Sequence, residues 1–114
     1  MNEDIQVTEG SGNIFADLGL SDADELLTRA KLGYFVRKIL EERGLKQLEI
    51  SHLLGIKQPE VSNLMNGKYH LFSESRLFSF FNKLDQKVTI QVSEHHQGEP
   101  WQQVAFLESS QLML

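Results

Sequence analysis

The chain has 114 residues, of which 40% are hydrophobic and 24% charged, with a formal net charge of −5 and no cysteine. That length allows one compact domain with tails, and it excludes a cofactor domain set beside a substrate domain. The missing cysteines exclude a disulfide framework, a thiol nucleophile and a thiolate-bound zinc; no apolar run nears the roughly 20 residues of a membrane helix, and the first residues lack the order of a signal peptide, so a cytoplasmic location is expected.

Residues 1–13 are poor in apolar side chains and contain Gly10-Ser11-Gly12, which predicts a flexible lead-in. Ile14-Phe15-Ala16 and Leu18-Gly19-Leu20 are apolar enough to lie against the domain. Ser21 is expected to cap a helix whose first turn carries Asp22, Asp24 and Glu25, acids that favour the positive end of the helix dipole. Leu26, Leu27, Ala30, Tyr34, Phe35 and Ile39 then recur at helical steps. Gly33 weakens the middle of that helix and Gly44 ends it as a left-handed cap.

Two short helices follow, Gln47–Leu54 stopping at Gly55 and Gln58–Asn66 stopping at Gly67. Ser51 is small enough to let the two approach, Gly55 turns the chain, and Ile56 plugs the corner. Val61, Leu64 and Met65 share one face of the second helix. The opposite face carries Pro59, Ser62, Asn63 and Asn66 with Gln58 at its leading edge, a short-chained, amide-rich surface rather than the Lys and Glu of a merely solvated one. Ser73 caps another helix bearing Leu77, Phe80, Phe81 and Leu84 on one stripe. Beyond Asp85 the period changes to two: Val88, Ile90 and Val92 alternate with Thr89 and Gln91, which predicts a half-buried strand. Residues 95–100 read as a turn, and Val104 with Phe106 as a second strand.

Charge is unevenly distributed. Residues 1–30 sum to −6, residues 31–68 to +3 and residues 69–114 to −2. The basic excess therefore coincides with the pair of short helices, and binding responds to local field rather than to net charge.

The stretch Leu45–Lys68 resembles the helix-turn-helix of the Cro/phage-repressor (XRE) family, with Leu45, Gln47, Gly55, Ile56, Gln58, Val61, Ser62, Asn66 and Gly67 in matching positions. Ser51 and Leu48 depart from it, standing where alanine is usual or frequent; both bear on packing. The resemblance implies a mainly α, lambda-repressor-like domain of five helices over residues 14–84, followed by a short C-terminal strand or hairpin in 85–114. It implies that the second helix enters the major groove, with Gln58, Asn63, Glu60 and Ser62 reading bases. Lys46, Gln47, Lys57, Asn66 and Lys68 would contact phosphates around it. Residues 13–20 with the acidic helix start, and the later Leu71-Phe72-Ser73 and Val-Thr-Ile-Gln-Val segments, are similar to HigA-like antitoxins, which repress their own operon and bind a small ribonuclease toxin.

One such motif makes too few base contacts for operator specificity, so a homodimer on a palindromic double-stranded site is expected. Phe78 is expected to face the partner subunit. The segment of Val88, Ile90 and Val92 must pair either with residues 101–106 of its own chain or with the same strand of a second copy. No cofactor or metal is expected, because the histidines show no ligand spacing and Ser73, Ser109 and Ser110 lack the setting of a nucleophile. An enzyme is not expected. The other function open to this sequence is a protein-interaction module that keeps the fold without binding DNA.

Overall fold

A computed structural model describes residues 12–107. Within them lie α1 (Ile14–Asp17), α2 (Ala23–Glu42), α3 (Gln47–Leu54), α4 (Gln58–Met65) and α5 (Glu74–Lys83), with a 3-10 turn at Tyr69–Leu71. The expected lead-in falls almost wholly outside these residues. Its last member, Asn13, is the exception and is 7% exposed. Its Oδ1 accepts from the Phe15 and Ala16 N–H groups, and its Nδ2 donates to the Ala23 carbonyl at 3.2 Å and to Asp24 Oδ1 at 3.2 Å. One amide thus caps α1 and ties it to the start of α2.

α2 begins one residue later than the sequence suggests. Asp22, not Ser21, occupies the cap position, and it makes no side-chain capping bond; the Asn13 amide instead holds the start of α2 by donating to the Ala23 carbonyl and Asp24 Oδ1. The buried stripe of α2 is also rotated from the expected one. Leu32, Val36 and Leu40 lie in the core, Phe35 and Ile39 pack at its edge, and Tyr34 is 43% exposed. α1, α4, α5 and the 3-10 turn all pack on this one helix. Apolar residues therefore occupy more of its circumference than a single stripe, and the sequence pattern alone does not say which column is innermost.

Gly33 is buried on α2 for a reason that helix propensity does not reveal. A Cβ there would lie 2.2 Å from Cδ1 of Tyr69, so the glycine is the notch that seats the tyrosine ring. The other glycine that geometry requires is Gly55, whose φ of +70° is a left-handed value that favours glycine.

α3 and α4 are joined by Gly55-Ile56-Lys57. Ile56 is buried in the corner as expected. Ser51 donates its hydroxyl to the Ile56 carbonyl, and the Ile56 N–H returns to the Ser51 carbonyl at 3.1 Å. Serine in place of the usual alanine therefore adds a clasp across the turn. Ser73 caps α5 by accepting from Arg76 N–H at 3.2 Å, and Leu77, Phe80, Phe81 and Leu84 are all buried with Phe72 against α2. Two cations finish helix ends. Lys83 Nζ donates to the Leu54 carbonyl of α3 at 2.9 Å, and Arg43 Nη2 donates to the Leu84 carbonyl at 2.7 Å.

The expected C-terminal strand or hairpin is not formed: among the described residues no strand occurs. After Asp85 the chain does reverse, through a turn at 97–99 in which His96 N–H donates to Glu99 Oε1 and Glu99 N–H to the His96 carbonyl. The returning segment is drawn across the helices instead of along residues 88–92. Phe106 stacks on Phe35 with centroids 4.7 Å apart, Val104 packs on the core, Gln102 bonds to Thr28, and Trp101 N–H donates to Asp24 Oδ2 at 3.3 Å. Side-chain anchoring to α2 thus takes the place of a ladder.

Candidate nucleic-acid interface

α4 separates its two faces sharply. Val61 and Leu64 are completely buried, and Met65 packs beside them. On the other side Gln58, Pro59 and Asn66 are exposed, and Ser62 and Asn63 are half-exposed. Pro59 sits in the first turn, where its missing N–H costs nothing. Asn66 Nδ2 donates to Ser62 Oγ at 3.2 Å, so the two are held as a unit along the outer face. The amide-bearing face is open to solvent, supported from below by an apolar seam.

Both helices of the motif start with the same device. Lysine occupies the cap position, Lys46 for α3 and Lys57 for α4, and glutamate stands three residues on. Glu49 accepts from Lys46 N–H at 2.8 Å, and Glu60 accepts from Lys57 N–H at 3.3 Å. A lysine has no acceptor with which to cap the first-turn amides in return, and neither residue makes a side-chain capping bond. Each helix thus begins with a fixed entry angle and an exposed cation. Gln47, at the first position of α3, is exposed as well, and so is Lys68 beyond Gly67. Lys46, Gln47, Lys57, Asn66 and Lys68 all stand at the surface, around α4.

Glu60 is tied to two other parts of the chain. Its Oε2 receives Arg76 Nη1 of α5 at 2.7 Å while its Oε1 receives the Lys57 N–H. The Arg76 hydrogen bond, opposed by partial burial, holds the carboxyl below its ordinary range. Each oxygen thus accepts one bond within the chain, and Glu60 joins α4 to α5 while its side chain stays 35% exposed. Arg76 lies also over the Phe72 and Phe80 rings, at 5.4 and 5.6 Å. The sequence does not mark Arg76 as a partner, since sixteen residues and a 3-10 turn separate it from Glu60. Lys83, which closes the end of α3 from 29 residues away, is hidden for the same reason.

The residues expected at a subunit contact divide. Phe78 and Val88 are half-buried and pack against their own core. Ile90 and Val92 are 68% and 90% exposed on an extended segment. The histidines come together only with an aromatic ring, His95 stacking on Trp101 at 3.5 Å. Among the described residues no group of three or more His, Asp or Glu is placed to hold a metal, and no helix is long and apolar enough to cross a membrane.

A protein family described as a helix-turn-helix domain matches residues 14–93, most of the chain. The chain belongs to this helix-turn-helix family. Among solved structures it is similar to a chain provisionally named an XRE family transcriptional regulator, with 32% identity and a TM-score of 0.66 over 76% of this chain and 98% of that one. No curated protein matches it. The family match runs through α5 and ends just beyond Val92. The helix-turn-helix family therefore accounts for all five helices and the first extended arm, and the return arm with Trp101 and Phe106 lies past it.

Proposed function

We propose that the chain is a sequence-specific DNA-binding transcriptional repressor that lays α4 in the major groove. The observation that carries this reading is the exposed amide face of α4, seated on a fully buried apolar seam and ringed by Lys46, Lys57 and Lys68. Gln58 and Asn63 read bases, since a side-chain amide pairs with both N6 and N7 of adenine, and Ser62, bonded to Asn66 one turn on, reads with them. Gln47 and the lysines set register on phosphates. Glu60 is assigned to bracing α4 through Arg76. The name of the similar solved regulator agrees with this reading.

The repressor acts as a dimer on a palindromic site. The free edge of residues 88–92, with Ile90 and Val92 open to solvent, supports pairing between two copies. Removing residues 88–114 should leave a monomer by mass in solution, and an unaltered dimer would reject that part. The antitoxin role rests on the resemblance to HigA-like proteins and on the net −6 of the first thirty residues, which suits the basic surface of a small ribonuclease. A compact basic protein encoded by the adjoining gene, copurifying with this chain, is the expected result.

The deciding experiment is selection of bound sequences from random DNA, followed by titration of the selected duplex. Gln58→Ala and Asn63→Ala should each relax preference at one base pair, costing about 1–3 kcal/mol against the selected site. Failure to enrich any sequence, with a folded protein, would favour the protein-interaction module instead.

A further inference from the structure

Arg37 of α2 is the cation that neither the motif nor the fold uses fully. Its Nε is buried without a hydrogen-bond partner. Its nearest acid, Glu41 one turn on, stands 3.7 Å away and is itself 55% exposed, a loose pairing that leaves the guanidinium charge poorly balanced. Two aromatic rings fix the group in place. Cζ lies 5.9 Å from the Tyr34 ring centre and 5.9 Å from that of Tyr69. Tyr69 is in turn seated in the Gly33 notch, and burial pushes its hydroxyl pKa up, against the pull of Arg37. The other end of the guanidinium borders the loop after α4: a Cβ on Gly67 would sit 4.0 Å from Arg37 Nη1. Asn66 and Lys68, either side of that glycine, are exposed.

We infer that Arg37 completes a binding site for one backbone phosphate of nucleic acid, formed with the Asn66–Lys68 loop at the trailing end of α4. This inference rests on the DNA-binding reading above. A phosphodiester is the ligand class that suits the geometry. The guanidinium is planar, permanently charged and weakly hydrated, so it stacks on rings and still offers an edge of donors to paired phosphate oxygens. Immobilisation by Tyr34 and Tyr69 means that little side-chain freedom is lost on binding. The absence of a bulky side chain at Gly67 keeps the backbone low beside Arg37. The result is a rigid register stop at the opposite end of α4 from Lys57.

The test is duplex binding by the full chain across a salt series, using the selected duplex and an unrelated one. Arg37→Gln should weaken both about equally, and it should lower the slope of log K against log salt by about 0.9 for each phosphate that a subunit no longer neutralises. A single uncharged methylphosphonate at the affected phosphate should weaken the wild type and leave Arg37→Gln unchanged. Arg37→Lys, which keeps the charge and loses the flat stack, should retain the slope while binding more weakly than the wild type. An unchanged slope in Arg37→Gln, or a methylphosphonate effect equal in both proteins at every position, would overturn the inference. If Arg37→Gln does not fold, Arg37→Lys decides: weaker binding at an unchanged slope, with a smaller methylphosphonate effect at one phosphate than in the wild type, supports the inference, and a methylphosphonate effect equal to that of the wild type at every position overturns it. A wild type that binds neither duplex refutes the DNA-binding reading itself, which separates that failure from this one.

Discussion

Replacing Gly33 with alanine tests whether the glycine is a defect in α2 or the seat of Tyr69. Helix propensity alone makes Gly33→Ala stabilising by about 1 kcal/mol, because alanine loses less backbone freedom on folding. The structure predicts the opposite sign. The new Cβ would lie 2.2, 2.4 and 2.7 Å from Cδ1, Cγ and Cβ of Tyr69, where ordinary contact begins near 3.4 Å. The ring root must therefore retreat by more than 1 Å. A rotamer change moves Cγ and Cδ1 but leaves Cβ at 2.7 Å, so the 3-10 turn has to move as well. Overpacking of this kind costs about 1–3 kcal/mol. Set against the propensity gain of about 1 kcal/mol, the net destabilisation is up to about 2 kcal/mol.

Urea unfolding followed by helical circular dichroism measures this directly, and a second substitution isolates the cause. Tyr69→Gly removes all three clashing atoms, whereas Tyr69→Ala would keep the Cβ at 2.7 Å. In the Tyr69→Gly background, Gly33→Ala should stabilise by up to about 1 kcal/mol, a reversal of sign within one double-mutant cycle. A stabilising Gly33→Ala in the otherwise unaltered chain would refute the notch. The same substitution should also weaken DNA binding, because Tyr69 positions the guanidinium beside the loop after α4.

Three further outcomes follow from contacts outside that notch. Ser51→Ala restores the residue usual in the family yet removes the donor to the Ile56 carbonyl, and it should cost about 1 kcal/mol in urea unfolding. The Glu60–Arg76 pair gives a pH dependence. The folded carboxyl titrates below its ordinary value of 4.5, so the stabilisation is present above pH 4.5 and fades as pH falls through the folded value. Wild type should therefore exceed Arg76→Gln at neutral pH by under about 1 kcal/mol, since the pair is partly exposed, and the gap should close in acid. Phe106→Ala removes the stack on Phe35 and should free the return arm, seen as faster tryptic cleavage after Lys87 with the helical signal intact.

What the sequence discloses here is what is local. α3, its turn and α4 depend on capping, one left-handed glycine and a short apolar seam, all settled within a dozen residues, and they lie where spacing puts them. α5 is equally plain, with Ser73 at its cap and a single buried stripe. α2 is less legible because four neighbours pack around it, so its apolar residues form a broad band and Leu32, Val36 and Leu40 have no local mark as the innermost column. Its start falls one residue later than expected, where Asn13, ten residues upstream, holds the Ala23 carbonyl. The strand expected at Val88–Val92 is a correct reading of alternation without a ladder, since alternation specifies which way side chains point and says nothing of where the partner lies.

The same division governs the interface. The side chains that would touch DNA are near one another in sequence, because one short helix and its flanks present them. The groups that hold that helix at its angle come from far away: Arg76 braces Glu60 from α5, Lys83 closes the end of α3, and Tyr69 sits in a notch on α2. Arg76 holds α4 directly, while Lys83 and Tyr69 fix the end of α3 before it and the turn after it; two of the three act through charged side chains that water would otherwise solvate. Such contacts contribute little net stability and considerable orientation. Their loss should therefore appear first as a widened tolerance for operator sequence, with the fold still present. Glu60 is the sharpest instance: its bond to Arg76 ties α4 to a helix sixteen residues further along the chain.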